Sequence, residues 1–481
     1  MKKYQKILFF ITIIVFIAIN IFTKKLGDMD EIWNYNFSNC ISKGLIPYKD
    51  FNMIQMPLFP MIMGLILKFT FNELIVMRIA SLFLWISIFF LIYRIIDTFK
   101  ILKIVNYIII FMICFIYKEY FYIDYNIFSV FLTLIILYLE LEKNEKSIII
   151  NIIIGMLGGL VFLTKQTIGV TVCFGIILSS FILFLTHKNS VYFKNIIFRI
   201  IGMIFPILLF LIYLILNNSI TYFLDYTFFS LKTFSNKISY CYLVTNSSFA
   251  IRILAIIVPS FLMLFIIYAF KNKNEKMLKM CIFSLATFIL VFPISDSIHF
   301  LFGSIISILS IVYYVKNIFN FSLILKIKYY IIAFFMGLSS IMILLFIIAS
   351  IVNVNKINYL SKLKHFKYIP IDSNDEKKIK TMDNYILKNK KNVYILNFDA
   401  AIYMIPIDHY NKDYDMFLLG NIGKNGENGQ IKKISKSKDI FLILKDGINR
   451  NWQNPEKVRK YVKKNLKRIG EIDIYDIYIN C

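Results

Sequence analysis

The feature that most constrains this chain is a series of long apolar runs, such as "LIVMRIASLFLWISIFFLIYRII", which short polar loops separate. A helix needs roughly 20 apolar residues to cross about 30 Å of hydrocarbon. Hydrophobic residues make up 58% of the 481 residues, against roughly 45–50% in ordinary soluble domains. The runs predict a mainly α, polytopic bundle of about eleven transmembrane helices. We expect these spans near residues 7–22, 74–96, 104–117, 126–141, 147–163, 168–186, 196–216, 251–270, 279–295, 300–315 and 329–352.

The distribution of Lys and Arg predicts the orientation of this bundle, because short cytoplasmic loops carry an excess of both. The bias favours a cytoplasmic amino terminus. The first apolar run follows "MKKYQK" and no small-residue cleavage site follows it, so we interpret it as a retained anchor. An odd number of spans then places the carboxyl-terminal part outside. Most acids of the membrane part fall on the outer side, which suggests chemistry at that face.

The chain divides by hydropathy into a transmembrane catalytic domain, residues 1–352, and an extracytoplasmic soluble α/β domain, residues 353–481. In the second domain, Ser373 can cap a helix that opens with "NDEKK". The pattern predicts strands at "VYILNF", "DMFLLG", "IFLILK" and the closing "EIDIYDIYI". A basic helix is expected at "NPEKVRKYVKKNLKRIG", and "GNIGKNGENGQ" is expected to be a loop.

Charge and cysteine content exclude some partners and leave others open. The formal net charge is +25, but the basic residues are spread over loops instead of forming a stripe beside aromatic residues, so we predict no nucleic-acid partner. Positive-inside bias and attraction to the lipid bilayer account for much of the charge. Cys40, Cys241 and Cys481 fall outside in the predicted topology. They could form one disulfide or remain free thiols, and spacing alone does not decide between these alternatives.

The first outer loop carries an unusual concentration of acids and aromatic residues. It reads "MDEIWNYNFSNCISKGLIPYKDFNMIQMPLFP" and contains the adjacent carboxylates of Asp30 and Glu31. Carboxylates near a bilayer are costly unless they are hydrated, paired or functional. The stretch resembles the first outer loop of GT-C glycosyltransferases, polytopic enzymes that use polyprenyl-phosphate sugars and include protein O-mannosyltransferases and aminoarabinose transferases. The resemblance is most specific over residues 28–60.

This resemblance implies catalytic roles for both acids. Asp30 would be the general base that deprotonates an acceptor hydroxyl, and Glu31 would support it or contact the acceptor. Inverting transfer needs a base on the sugar face opposite the leaving phosphate, and a carboxylate suits that task. The alternative is that both are hydrated loop acids near lipid headgroups.

Two further stretches carry polar residues at predicted outer span ends. Asp124 is the central acid of "YKEYFYIDYN", and the resemblance implies an acceptor contact or a divalent ion there; Asp50 of the first loop shares this assignment. Asp124 would otherwise cap the fourth span. Lys165 and Gln166 interrupt the apolar pattern of "GMLGGLVFLTKQTIGV". A Lys at this depth either extends toward water or binds an anion such as a donor phosphate.

The last candidate stretch is "VFPISDSIHFLF", which places Asp296 and His299 three residues apart. This spacing puts both on one helix face if a helix starts there. The resemblance implies that they bind the donor phosphate or form the rim of the active site. The alternative is a helix cap at Ser295 or Asp296.

Taken together, these features predict an integral-membrane glycosyltransferase that moves a hexosyl or pentosyl group from a polyprenyl phosphate to an envelope glycan, lipid or protein. The sequence establishes no cofactor, and a divalent cation stays open because no compact acidic motif is present. A transporter or flippase of lipid-linked saccharides is the alternative, and a non-catalytic scaffold is a third. Transporters need polar or broken helices near the midplane, whereas these acids concentrate at outer span ends.

Overall fold

A computed structural model describes residues 3–101, 103–142, 147–233, 238–272, 274–318, 359–448 and 453–480, with scattered positions between 341 and 354. The predicted eleventh span, residues 329–352, falls largely outside the described residues. The chain forms two compact units. The first unit contains Met1–Phe22, Ile79–Phe210 and Lys237–Lys356, and the second contains Thr23–Arg78, Leu211–Asn236 and Ile357–Cys481.

Helices dominate the described chain. Up to residue 318 they are α1 Lys3–Phe22, α2 Met29–Ser42, α3 Leu58–Phe69, α4 Leu74–Asp97, α5 Lys103–Ile116, α6 Tyr125–Glu142, α7 Ile148–Thr164, α8 Gln166–His187, α9 Ser190–Leu216, α10 Ile220–Leu224, α11 Tyr240–Asn246, α12 Phe249–Asn272, α13 Glu275–Phe288 and α14 Ser297–Ile318. Six of them, α4, α6, α8, α9, α12 and α14, are long and apolar enough to cross a membrane. Apolar stretches in α1, α3, α5 and α7 are shorter. A multi-pass membrane protein is therefore supported, but the predicted count of about eleven spans is not confirmed.

Small residues let two helices of the first unit approach closely. A Cβ atom on Gly155 of α7 would lie 2.1 Å from the carbonyl oxygen of Arg199 in α9, and one on Gly202 would lie 2.3 Å from the carbonyl oxygen of Ile152. Membrane helices commonly pack in this way, because small residues bring the backbones together.

A buried ionic cluster joins several helices of the first unit. Glu140 of α6 lies 2.6 Å from Arg199 of α9 and 3.4 Å from Lys279 of α13, and all three side chains are at most 5% exposed. Arg199 also donates to the side chains of Asn151 in α7 and Ser179 in α8. Charges at such sites persist only when they are paired, so this cluster fixes the relative positions of five helices.

The second unit combines α2 and α3 with a small α/β fold. The carboxyl-terminal helices are α15 Ser373–Lys388, α16 Ala400–Met404, α17 Gly426–Ile434 and α18 Glu456–Asn465, and the strands are β1 Val393–Ile395, β2 Ile440–Leu444, β3 Lys467–Ile472 and β4 Tyr475–Ile479. The sheet order is β1-β2-β4-β3, with β1 and β2 parallel and the other pairs antiparallel. Strand β2 is buried along its whole length. The core contains Phe417, Ile434, Phe441, Val458 and Val462.

The structure corrects several local predictions in this part. Residues of "DMFLLG" form turns instead of a strand, and "EIDIYDIYI" is a hairpin because Asp473 adopts a positive φ of 47°. Ser373 is the first helical residue, and Asp372 is the N-cap. The segment predicted to be the first outer loop contains α2, a helix that the sequence pattern did not predict. Cys40 and Cys241 are free thiols, and Cys481 lies outside the described residues.

Candidate active site

Asp30 and Glu31 lie in the first turn of α2 in the second unit. Asp28 is the N-cap, and its Oδ1 accepts hydrogen bonds from the backbone N–H groups of Asp30 (3.1 Å) and Glu31 (3.4 Å). The other oxygen of Asp28 lies 2.7 Å from Lys24 Nζ. Negative charge is favourable at a helix amino terminus because the unpaired N–H groups and the helix dipole point there. The local sequence therefore accounts for three acids at this point.

The two adjacent acids have different surroundings. Arg78, the fifth residue of α4, donates Nε to Glu31 Oε1 (2.9 Å) and Nη2 to Glu31 Oε2 (2.8 Å). Its remaining Nη1 donates to the carbonyl oxygen of Lys24 at 2.6 Å. Arg78 is 1% exposed and Glu31 is 3% exposed, whereas Asp30 is half-buried. Both oxygens of Glu31 are thus engaged in a buried, bidentate ion pair.

Polar contacts hold the rest of α2 within the second unit. Asn34 Nδ2 donates to the carbonyl oxygen of Asp30 at 2.7 Å, and Gln55 Nε2 donates to Asn34 Oδ1 at 3.0 Å. Trp33 Nε1 donates to the carbonyl oxygen of Phe398 at 3.0 Å. These hydrogen bonds restrict the movement of α2 within the second unit, so the backbone that carries Asp30 has a defined position there.

Asp415 is a buried acid that contacts the same helix. Its carboxylate accepts hydrogen bonds from Asn36 Nδ2 (3.3 Å) and from the backbone N–H of Asn411 (3.0 Å). Burial raises the pKa of Asp415 to about 7, although both hydrogen bonds oppose the shift.

Asp50 closes a turn in the "GLIPYKDF" stretch. Its Oδ2 accepts the backbone N–H of Ile46 at 2.7 Å, and its own N–H donates to the carbonyl oxygen of Ile46 at 2.9 Å. The turn carries Tyr48 at a positive φ of 69°, with its ring buried against Phe223. These contacts give Asp50 a clear role in shaping the loop.

In the first unit, Asp124 is the N-cap of α6 and is fully buried. Its Oδ1 accepts the backbone N–H of Ile127 at 2.8 Å, and its Oδ2 accepts Asn126 Nδ2 at 2.7 Å. Burial raises the pKa of Asp124, while the two hydrogen bonds and the charges of Lys165 and His299 oppose that shift. Asp124 is therefore close enough to Lys165 and His299 for their charges to act on its carboxyl group.

Lys165 breaks the helical path between α7 and α8. Its backbone is extended, with φ −152° and ψ 119°, and the residue is both the C-cap of α7 and the N-cap of α8. The half-buried side chain donates to Asn126 Oδ1 at 2.6 Å, and Nζ lies 5.3 Å from the centre of the Tyr125 ring. Gln166 is the first residue of α8 and is also half-buried.

Asp296 and His299 form a dyad at the start of α14. Asp296 Oδ1 accepts a hydrogen bond from the backbone N–H of His299 (2.8 Å). The same oxygen lies 2.8 Å from His299 Nδ1, within hydrogen-bonding distance. Burial would raise the pKa of Asp296, but the hydrogen bonds and charge of His299 outweigh it and hold that pKa below its usual value.

Arg78 and Asn126 belong to these clusters, but the sequence pattern did not predict either residue as part of a site. A lone Arg in the apolar run "ELIVMRIASL" was the available signal for Arg78, since such a charge needs a partner. Nothing in the sequence indicated that Asn126 would meet Lys165. Among the residues that the structure describes, no group of three or more His, Cys, Asp and Glu side chains could hold a metal ion.

Comparison with solved structures identifies the class of fold. ArnT from Cupriavidus metallidurans bound to undecaprenyl phosphate is similar over 100% of this chain and 99% of that chain, with a TM-score of 0.57 and 10% identity. Its apo state gives a TM-score of 0.58. The archaeal oligosaccharyltransferase AglB from Archaeoglobus fulgidus, in complex with an inhibitory peptide and a dolichol-phosphate, is similar over 85% of this chain and 64% of that chain, with a TM-score of 0.50 and 11% identity.

ArnT, an aminoarabinose transferase, and AglB are both GT-C membrane glycosyltransferases. The GT-C-like fold predicted from the first outer loop is thereby confirmed. At 10–11% identity, this similarity concerns the fold. No protein-family model matches the chain, and no curated protein matches it.

Proposed function

We propose that this protein is a glycosyltransferase that takes a sugar from a polyprenyl-phosphate donor and passes it to a cell-envelope acceptor at the outer face of the cytoplasmic membrane. The observation that carries the proposal is the similarity in fold to ArnT over the whole chain. ArnT binds undecaprenyl phosphate in that structure, and AglB binds a dolichol-phosphate. The polar clusters described above supply the residue types that such a transfer needs.

Asp30 is proposed as the general base of an inverting transfer. A base must accept the proton of the acceptor hydroxyl as the new bond forms on the sugar face opposite the leaving phosphate. Glu31 is occupied on both oxygens by Arg78, so we assign it to fixing the start of α2. Asp30 is half-buried and lies on the same rigid turn, which makes it the better-suited acid of the pair.

Lys165 and His299 are proposed to bind the donor phosphate in the first unit, with Asp296 orienting His299 and Gln166 beside Lys165. An ammonium acts as a point charge for a phosphate, and an imidazolium that donates Nδ1–H to a carboxylate can donate Nε2–H to the phosphate. Because Asp124 is fully buried, we assign it to positioning instead of acceptor binding. Asp50 is assigned to shaping its loop.

The orientation and the domain division are part of the same proposal. The excess of Lys and Arg in alternate short loops favours an amino terminus in the cytoplasm, and residues 353–481 would then lie outside. Labelling of single cysteines introduced into these segments with a membrane-impermeant maleimide tests this orientation. Labelling of the amino terminus in intact cells would contradict it.

The test of the activity is reconstitution with a panel of hexosyl- and pentosyl-polyprenyl phosphates. We expect Asp30→Asn to lower the transfer rate by about 10²–10⁴-fold, the usual contribution of a general base, with donor binding kept. Glu119→Gln is the control, since it removes the charge of an exposed acid of the membrane part by the same kind of substitution. Undiminished transfer by Asp30→Asn would remove Asp30 as the base. Transport of a lipid-linked saccharide without transfer would favour the transporter alternative.

A further inference from the structure

Asn126 lies between two charged residues of the first unit that are 41 positions apart in the sequence, Asp124 and Lys165. Its Oδ1 accepts a hydrogen bond from Lys165 Nζ at 2.6 Å, and its Nδ2 donates to Asp124 Oδ2 at 2.7 Å. The side chain is 3% exposed. Both polar ends of the amide are therefore used, and they face opposite charges.

We propose that Asn126 is a positioning residue that holds the Lys165 ammonium for the donor phosphate. This inference rests on the proposed function and extends it to a residue outside the sequence-based assignment. The two hydrogen bonds run in the same direction, from the ammonium through the amide to the carboxylate. Hydrogen bonds in such chains polarise one another, so each is stronger than it would be alone.

The neutral amide also explains why a buried acid can lie near a phosphate-binding Lys. A direct ion pair would cancel much of the positive field that an anionic ligand requires, because opposite charges at contact distance neutralise each other. Asn126 satisfies the Asp124 carboxylate and orients the ammonium without adding a negative charge beside it.

The backbone around Asn126 makes this arrangement rigid. Asn126 lies in the first turn of α6. A hydrogen bond of 2.8 Å from the backbone N–H of Ile127 to Asp124 Oδ1 stabilises this turn. Tyr125 places its ring 5.3 Å from Lys165 Nζ, a distance at which a cation is attracted to an aromatic face. Adjacent residues of one helix turn thus hold Lys165 from two sides.

The experiment measures binding of undecaprenyl phosphate to the full-length protein in lipid nanodiscs. Undecaprenol and phosphatidylglycerol serve as comparison ligands, so that the prenyl chain and a general anionic headgroup are distinguished from the prenyl phosphate. We expect Asn126→Leu, which has a similar volume and no polar atoms, to raise the Kd for undecaprenyl phosphate about tenfold, as loss of a charge-assisted hydrogen bond implies. Undecaprenol binding should not change.

A double-mutant cycle tests whether Asn126 acts through Lys165. Lys165→Met should weaken binding of undecaprenyl phosphate, and adding Asn126→Leu to it should have little further effect, because coupled residues are not additive. Asn106→Leu is the matched control: Asn106 is a buried amide of α5 in the same unit, 2% exposed, and its Oδ1 accepts no hydrogen bond from the described residues. This control should leave the Kd unchanged.

The outcomes separate the two proposals. If Lys165→Met binds undecaprenyl phosphate normally, the phosphate-binding assignment fails. If Lys165→Met weakens binding but Asn126→Leu does not, only the role of Asn126 is overturned. Additive effects in the double variant, or an equal effect of Asn106→Leu, would also overturn it. Should Asn126→Leu fail to fold, Asn126→Ser, which is too short to reach both partners, gives the same comparison.

Discussion

The buried pair of Glu31 and Arg78 predicts that Glu31→Gln destabilises the protein more than Asp30→Asn does. Three hydrogen bonds of 2.6–2.9 Å hold Arg78, and the paired side chains are 1% and 3% exposed. Removing one partner of such a pair costs about 3–5 kcal/mol, because the other charge stays buried without compensation. Asp30 is half-buried, and loss of its charge from the first helical turn costs only about 0.3–1 kcal/mol.

Thermal unfolding in detergent, followed by intrinsic fluorescence, measures this difference. Trp33 is one of three tryptophans, lies on the same helix and donates to Phe398, so part of the emission reports on the packing of α2. For a unit of about 150–250 residues, each kcal/mol shifts Tm by about 2–4 °C. We therefore expect Glu31→Gln to lower Tm by about 6–20 °C and Asp30→Asn by less than about 4 °C.

A second variant separates the buried charge from other effects of the substitution. Combining Glu31→Gln with Arg78→Met removes both charges, and part of the lost stability should return, since apolar replacements of buried pairs are often tolerated. A Tm for Glu31→Gln equal to that of the unmodified protein would refute the reasoning. The double variant could instead have a Tm below that of Glu31→Gln by as much as Arg78→Met alone lowers the Tm of the unmodified protein. Such additive effects would show that the two residues are not coupled.

Two further predictions concern stability. Burial raises the folded pKa of Asp415 to about 7, so Asp415 stays protonated in the fold between about pH 4 and 7 while the same group ionises in the unfolded chain. Its contribution to stability is therefore fully present below pH 4 and decreases by up to about 4 kcal/mol as pH rises to 7. Asp415→Asn should remove this contribution, so the Tm of the variant relative to the parent should increase as pH rises from 4 to 7; parallel profiles for variant and parent would contradict it. Gly155→Ala should reduce the yield of folded protein, because its Cβ would lie 2.1 Å from the Arg199 carbonyl oxygen, an overpacking that costs at least about 1–3 kcal/mol. Gly175→Ala, whose Cβ would come no closer than 3.1 Å to a side-chain atom, is the control, and equal yields would refute the packing argument.

The sequence located several helix starts because capping depends on residues close together in the chain. Asp124 caps α6 and Asp296 caps α14. For both residues, capping was the alternative to a functional role that the sequence left open. The carboxyl-terminal hairpin was missed because "EIDIYDIYI" alternates like a single strand. Its turn depends on Asp473 taking a positive φ, which only a few per cent of residues other than glycine do.

The amino-acid sequence by itself predicted a membrane protein with a GT-C-like fold and placed several acids between its first two predicted spans, because hydropathy and local motifs are carried by neighbouring residues. Only the tertiary structure decided how Asp30 and Glu31 differ, since Arg78 comes from another helix. It also decided that Asn126 meets Lys165, which is 39 residues away along the chain. Such pairings depend on how distant helices pack, and the spacing of residues along one segment does not encode them.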